Sequence, residues 1–136
     1  MNASAATRAL AALLCIALLP AAVARSTYEG ITVVSIQKAS GSGSALNITE
    51  AGALRKVMDE INDQRRGSWE VHRGEPSRCA VRLTFMAGSS RVARLVLDGD
   101  RLIEPSGISD DKGYGRSLMG GDLRQTRRYA SQVSGC

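Results

Sequence analysis

His72 is the only histidine in the chain and lies in the run Trp69-Glu70-Val71-His72-Arg73, with Ser68 and Glu70 near it in sequence. A catalytic histidine needs a nucleophile and an orienting acid within hydrogen-bond reach, and nearness along the chain does not supply that geometry. With a single imidazole, a two-histidine zinc site is excluded. Asp98 and Asp100 flank Gly99, and Asp110 adjoins Asp111, but neither pair has the ligand spacing of a calcium loop, so both read as turn residues. A glycosidase-type carboxylate pair depends on spatial separation, which a linear sequence does not report. Gly41-Ser42-Gly43 lacks the lysine of a phosphate-binding loop. Asn47-Ile48-Thr49 matches a glycosylation triplet, yet a helix-capping role already accounts for Asn47. No catalytic, metal or cofactor set is expected from these residues.

The cysteines carry a clearer signal. Ala9 to Ala24 is an uncharged, Ala- and Leu-rich run that follows Arg8 and closes on Ala22-Val23-Ala24, the pattern of a secretory signal peptide cleaved after residue 24. The run is shorter than the about 20 apolar residues that span a bilayer and contains Pro20, so no stable membrane insertion is expected after cleavage. Cys15 belongs to that leader; Leu14 before it is not the small residue a lipid-attachment signal requires. Cys79 and Cys136 remain in the mature chain, and an even pair in an exported protein implies a disulfide between them. Two free thiols or a metal pair are the alternatives.

Losing residues 1–24 removes Arg8 alone from the charged set, so the formal net charge falls from +5 to +4. Most of the remaining basic residues are arginines, spread along the chain among acids. With Tyr28, Trp69, Phe85, Tyr114 and Tyr129 as the only mature aromatics, the basic stripe with stacking rings of a nucleic-acid reader is missing. One clustering stands out: Arg91, Arg94 and Arg101, joined by Arg82, fall across two consecutive hairpins. Cross-strand arginines on one exposed face can form a basic patch for an acidic protein partner. The bland alternative is a solvated strand face whose charges discourage edge pairing.

The elements that would position these groups follow from periodicity. Gly30 to Lys38 is β-branched and partly alternating, a strand, and Ala39 to Ser44 has the composition of a loop. Asn47 followed by Glu50 fits a capping box, and Ile48, Ala51, Leu54, Val57, Met58 and Ile61 line one face of a helix predicted over 48–66, with Arg65 and Arg66 at its negative end and Gly67 as a left-handed stop. Cys79 to Met86, Arg91 to Leu97 and Arg101 to Glu104 alternate as strands, with turns at Ala87-Gly88-Ser89-Ser90 and Asp98-Gly99. Ser106 to Tyr114 reads as a loop, and Asp122 as the cap of a final helix burying Leu123, Thr126, Ala130 and Val133 and stopping at Gly135.

The expected mature chain, residues 25–136, is a single α+β domain in the order β-α-β-β-β-α: an antiparallel sheet of about four strands, the long helix on one face, and a short C-terminal helix pinned by the disulfide. The opposite face would display Arg82, Thr84, Arg94 and Val96 together. The expected function is an exported binding protein, periplasmic or secreted, without enzymatic activity, of the inhibitor or immunity type. The competing readings are a small envelope hydrolase working with carboxylates and an accessory subunit of an envelope complex.

Overall fold

The computed structural model describes residues 27–67, 69–105, 112–117 and 122–136. The expected leader, residues 1–24, and most of the expected 106–114 loop lie outside them. The elements are β1 (Val33–Lys38), β2 (Leu46–Ile48), α1 (Ala51–Arg65), β3 (Glu70–Arg73), β4 (Val81–Ala87), β5 (Ser90–Asp98), β6 (Arg101–Pro105), β7 (Lys112–Ser117) and α2 (Arg124–Ser134). All strands join one antiparallel sheet in the order β2-β1-β4-β5-β6-β7-β3. The class is α+β, as the periodicity predicts, but the sheet has seven strands where about four were expected. The additional three are short or weak in strand character. β2 has three residues, β3 has four, and β7 carries Gly113 and Gly115, so all depend on a neighbouring strand to form.

Alternation assigns the two sheet faces. Val34 and Ile36 of β1, Val81, Leu83 and Phe85 of β4, Leu95 and Leu97 of β5 and Leu102 of β6 form one buried cluster with Val57, Met58 and Ile61 of α1 and with Leu123 and Ala130 at α2. Both helices therefore cover the same face. Tyr28 enters this layer as well: its N–H donates to Asn62 Oδ1 at 2.8 Å and its carbonyl accepts from Asn62 Nδ2 at 3.1 Å. Its ring lies 5.1 Å from Phe85 and carries the Arg65 guanidinium 3.8 Å above its centre. Arg65, expected to complement the helix dipole, is buried by that stack and lies 4.0 Å from Glu104 of β6.

Helix starts differ from the sequence expectation. Asn47 and Ile48 pair with β1 as strand residues, and α1 begins only at Ala51. Glu50 is the cap itself, its carboxylate accepting from Gly52 N at 2.8 Å and Ala53 N at 2.7 Å. Those two donors hold the Glu50 carboxyl below its ordinary value of 4.5. The far end of α1 tightens, with Arg66 N donating to Asp63 O at 3.3 Å and Gly67 N to Gln64 O at 3.2 Å, and its C-cap Arg66 is right-handed. At α2, Asp122 does not cap. Leu123 occupies the N-cap without a side-chain bond, and Glu60 of α1 accepts from Gln125 N at 2.8 Å, Thr126 N at 2.9 Å and Thr126 Oγ1 at 2.7 Å. Gly135 closes α2 in the left-handed conformation, and Cys136 beyond it is disulfide-bonded to Cys79, just before β4.

Candidate functional site

The four arginines singled out by the sequence share the face opposite the helices. Arg82 stands opposite Val96 and Thr84 opposite Arg94, in the register that alternation predicts. Arg91 reaches that face by another route. Strict alternation back from Leu95 would turn it toward the core. A β-bulge between Phe85 and Met86 instead leaves Val92 unpaired and sets Arg91 opposite Met86, on the same side as Arg94. Val92, displaced by the bulge, is 44% exposed. Arg101 stands opposite Asp98 and also falls on this side.

They do not form one uniform patch. Val96 and Ile103, on the same face, are each only 4% exposed, and with Ala80 they form a second small buried cluster against Ala39. The topology supplies the cover. β3 and β4 run in the same direction with β7, β6 and β5 between them, so residues 74–80 must cross the sheet to join them. Ser77 fastens this crossover to the strands: its N–H donates to Asp98 Oδ2 at 2.8 Å and its hydroxyl to Asp98 Oδ1 at 2.6 Å. The face expected to be free is thus partly roofed.

Between the crossover and the sheet lies a depression of about 460 Å³ lined by Ala39, Ser40, Glu75, Pro76, Ser77, Arg78, Arg82 and Val96. Arg82 is half-buried in its floor and donates to Ala39 O at 3.3 Å. Arg94, exposed, is two residues along β5 from Val96 on the same side, about 7 Å away at strand rise. Arg91 continues this line toward the β4–β5 turn.

Arg101 belongs to a separate group. Its guanidinium donates to His72 Nδ1 at 2.8 Å and lies 3.6 Å from Glu70 Oε1, both on β3. It reaches them across β7, where Gly115 stands opposite Ile103 and Glu70, and Gly113 opposite Pro105 and His72. Neither glycine has a side chain to obstruct the span. Because arginine only donates, Nδ1 must carry the lone pair and Nε2 the proton. The lone pair that a general base would use is engaged by Arg101. Among the described residues no three His, Cys, Asp or Glu side chains are grouped to hold a metal ion, and no helix is long and apolar enough to cross a membrane.

Sequence reasoning missed Arg78 and Glu75, which line the depression from an aperiodic connection, and it had no signal for the bulge that turns Arg91. No family model, curated protein or solved structure matches the chain.

Proposed function

We propose that the protein is an exported, non-enzymatic binding protein, of the inhibitor or immunity type, that recognises an acidic protein partner through the sheet face opposite its helices. The observation that carries this reading is the placement of Arg82, Arg91 and Arg94 on one sheet face, Arg82 lining a depression there and Arg91 brought to that face by a bulge. Arginine suits such a role because its planar fork pairs with carboxylates bidentately and its charge does not titrate in the working range. Export is supported by the leader pattern of residues 1–24 together with the Cys79–Cys136 disulfide, since such bonds persist in oxidising compartments. Tyr28, close to the expected cleavage point, is tied to Asn62.

The test is capture of partners from an envelope extract by the exported protein and by the double variant Arg91→Glu/Arg94→Glu. A specific partner should be retained by the parent protein, be lost by the variant, and dissociate as salt is raised, because exposed interfacial charges act mainly through screened long-range attraction. A partner held equally by both proteins, or turnover of a small substrate with no partner found, refutes the proposal.

A further inference from the structure

The two halves of the Cys79–Cys136 disulfide sit in different surroundings. Cys79 is half-buried just before β4, whereas Cys136 follows the Gly135 stop of α2 and is exposed. A surface depression of about 420 Å³ opens on Cys136, with Lys38 and Arg78 in its lining and, among its described lining residues, no acidic side chain. These two cations leave the surroundings positive even with a main-chain carboxylate counted at Cys136. Thiol–disulfide exchange begins when an anionic thiolate attacks one sulfur, so access and positive charge both favour it.

Behind the bond, a recess of about 250 Å³ lies between the last turns of α2 and the strands, with Val81 and Leu97 on its sheet side and Ala130, Ser131 and Ser134 on its helix side. Of residues 128–134 only Ala130 is buried, and Tyr129 and Val133 are partly so. The start of the helix is held separately, by Glu60. The far end therefore depends on the covalent link more than on packing.

We infer that this bond is a site of thiol–disulfide exchange, attacked at Cys136 by a dithiol reductant, and that its opening releases the end of α2 from the sheet while Glu60 keeps the start in place. The reductant's thiolate bonds to the Cys136 sulfur, and the Cys79 sulfur leaves as a thiolate. The reductant's second thiolate then closes on the first sulfur and displaces Cys136. One dithiol becomes a cyclic disulfide and one protein disulfide becomes two thiols, two electrons and two protons passing to the protein. Val81 and Leu97, buried beneath the oxidised helix end, gain contact with water. The arginine face takes no part, so this site is tested apart from the partner-binding reading.

Dithiothreitol is the dithiol probe, applied to the folded oxidised chain and to the same chain unfolded in urea. The folded bond should open within about tenfold of the unfolded rate, because Cys136 is already accessible. Opening only at the rate of global unfolding overturns the inference. Two monothiols of opposite charge, 3-mercaptopropionate and cysteamine, locate the attack. After acid quench and peptide mapping the mixed disulfide should be on Cys136. At low salt the anionic thiol should react several-fold faster, each rate being scaled to that with neutral hydroxyethyl disulfide, and Lys38→Glu/Arg78→Glu should reverse the order. An adduct on Cys79, or no charge preference, overturns the assignment. Release is read by NMR of the ¹⁵N,¹³C-labelled protein. On reduction the shifts of residues 130–135 should move to disordered values while Gln125, Thr126 and the sheet keep theirs. Cys79→Ser/Cys136→Ser should match the reduced parent, and the parent reduced and alkylated in place serves as the second sample where that variant does not fold. An unchanged helix end, or collapse of dispersion throughout the sheet, overturns the switch.

Discussion

Glu60 joins the two helices through a cap that crosses from one to the other, and its removal gives the sharpest test of how this fold is held. In Glu60→Ala the N–H groups of Gln125 and Thr126 and the hydroxyl of Thr126 lose their acceptor at once. Loss of an N-cap acceptor costs about 1 kcal/mol, up to about 2. Thr126 is fully buried, and a buried hydroxyl left without a partner costs about 1–3 kcal/mol more. The combined loss is about 3 kcal/mol, a large share of the stability of a domain this size. It corresponds to a fall of roughly 10–15 °C in the melting midpoint, or about 1.5 M in the urea midpoint at unchanged slope. Glu60→Gln should fall between, because one of its two oxygen positions becomes an amide donor and either Gln125 or Thr126 then faces a donor. Urea titrations of Glu60→Ala, Thr126→Val and the double variant form a cycle whose coupling should reach about 1 kcal/mol. Asp122→Ala belongs in the same set and should be almost silent. A Glu60→Ala midpoint within about 0.5 kcal/mol of the parent, the range of unconnected surface substitutions, or strict additivity in the cycle, would refute the cap.

Cys136→Ser should lower stability by about 4 kcal/mol on the loop-closure model for a bond spanning 57 residues, read as a midpoint difference that vanishes when parent and variant are compared under reducing conditions. Phe85→Ala removes a fully buried ring from the middle strand of the core and should cost about 3–5 kcal/mol, with the near-ultraviolet signal of Tyr28 altered because the two rings are 5.1 Å apart. The Glu50 cap should be pH-dependent. Its carboxyl titrates lower in the folded protein than the ordinary 4.5, so its contribution is present in full above that value and is lost as pH falls through the lowered one. Parent and Glu50→Ala stabilities should therefore differ at neutral pH and converge in strong acid. A constant gap down to full protonation would show that the side chain acts by something other than charge.

Val81, Leu83 and Phe85 alternate with Arg82 and Thr84 in a register the structure reproduces, because a strand with one buried face writes its orientation into a two-residue period. The α1 face of Val57, Met58 and Ile61, the inward Leu123, Thr126 and Ala130, and the Cys79–Cys136 pairing were legible for the same kind of reason. Burial imposes a period, and two cysteines leave one intramolecular choice.

What the chain alone left open was everything set by partners distant in sequence. Glu60 caps a helix more than sixty residues away, a pairing no local motif announces. Arg65 is a solvated dipole partner by its position in the helix and a buried cation over Tyr28 in the fold. β2, β3 and β7 are too short or too glycine-rich to declare themselves, and become strands because an existing edge offers them hydrogen bonds. The crossover over Val96, and with it the depression, exists because three strands separate β3 from β4 in the sheet. Local periodicity records which residues seek the interior, while the order in which strands pair is decided only when the whole sheet closes over its core.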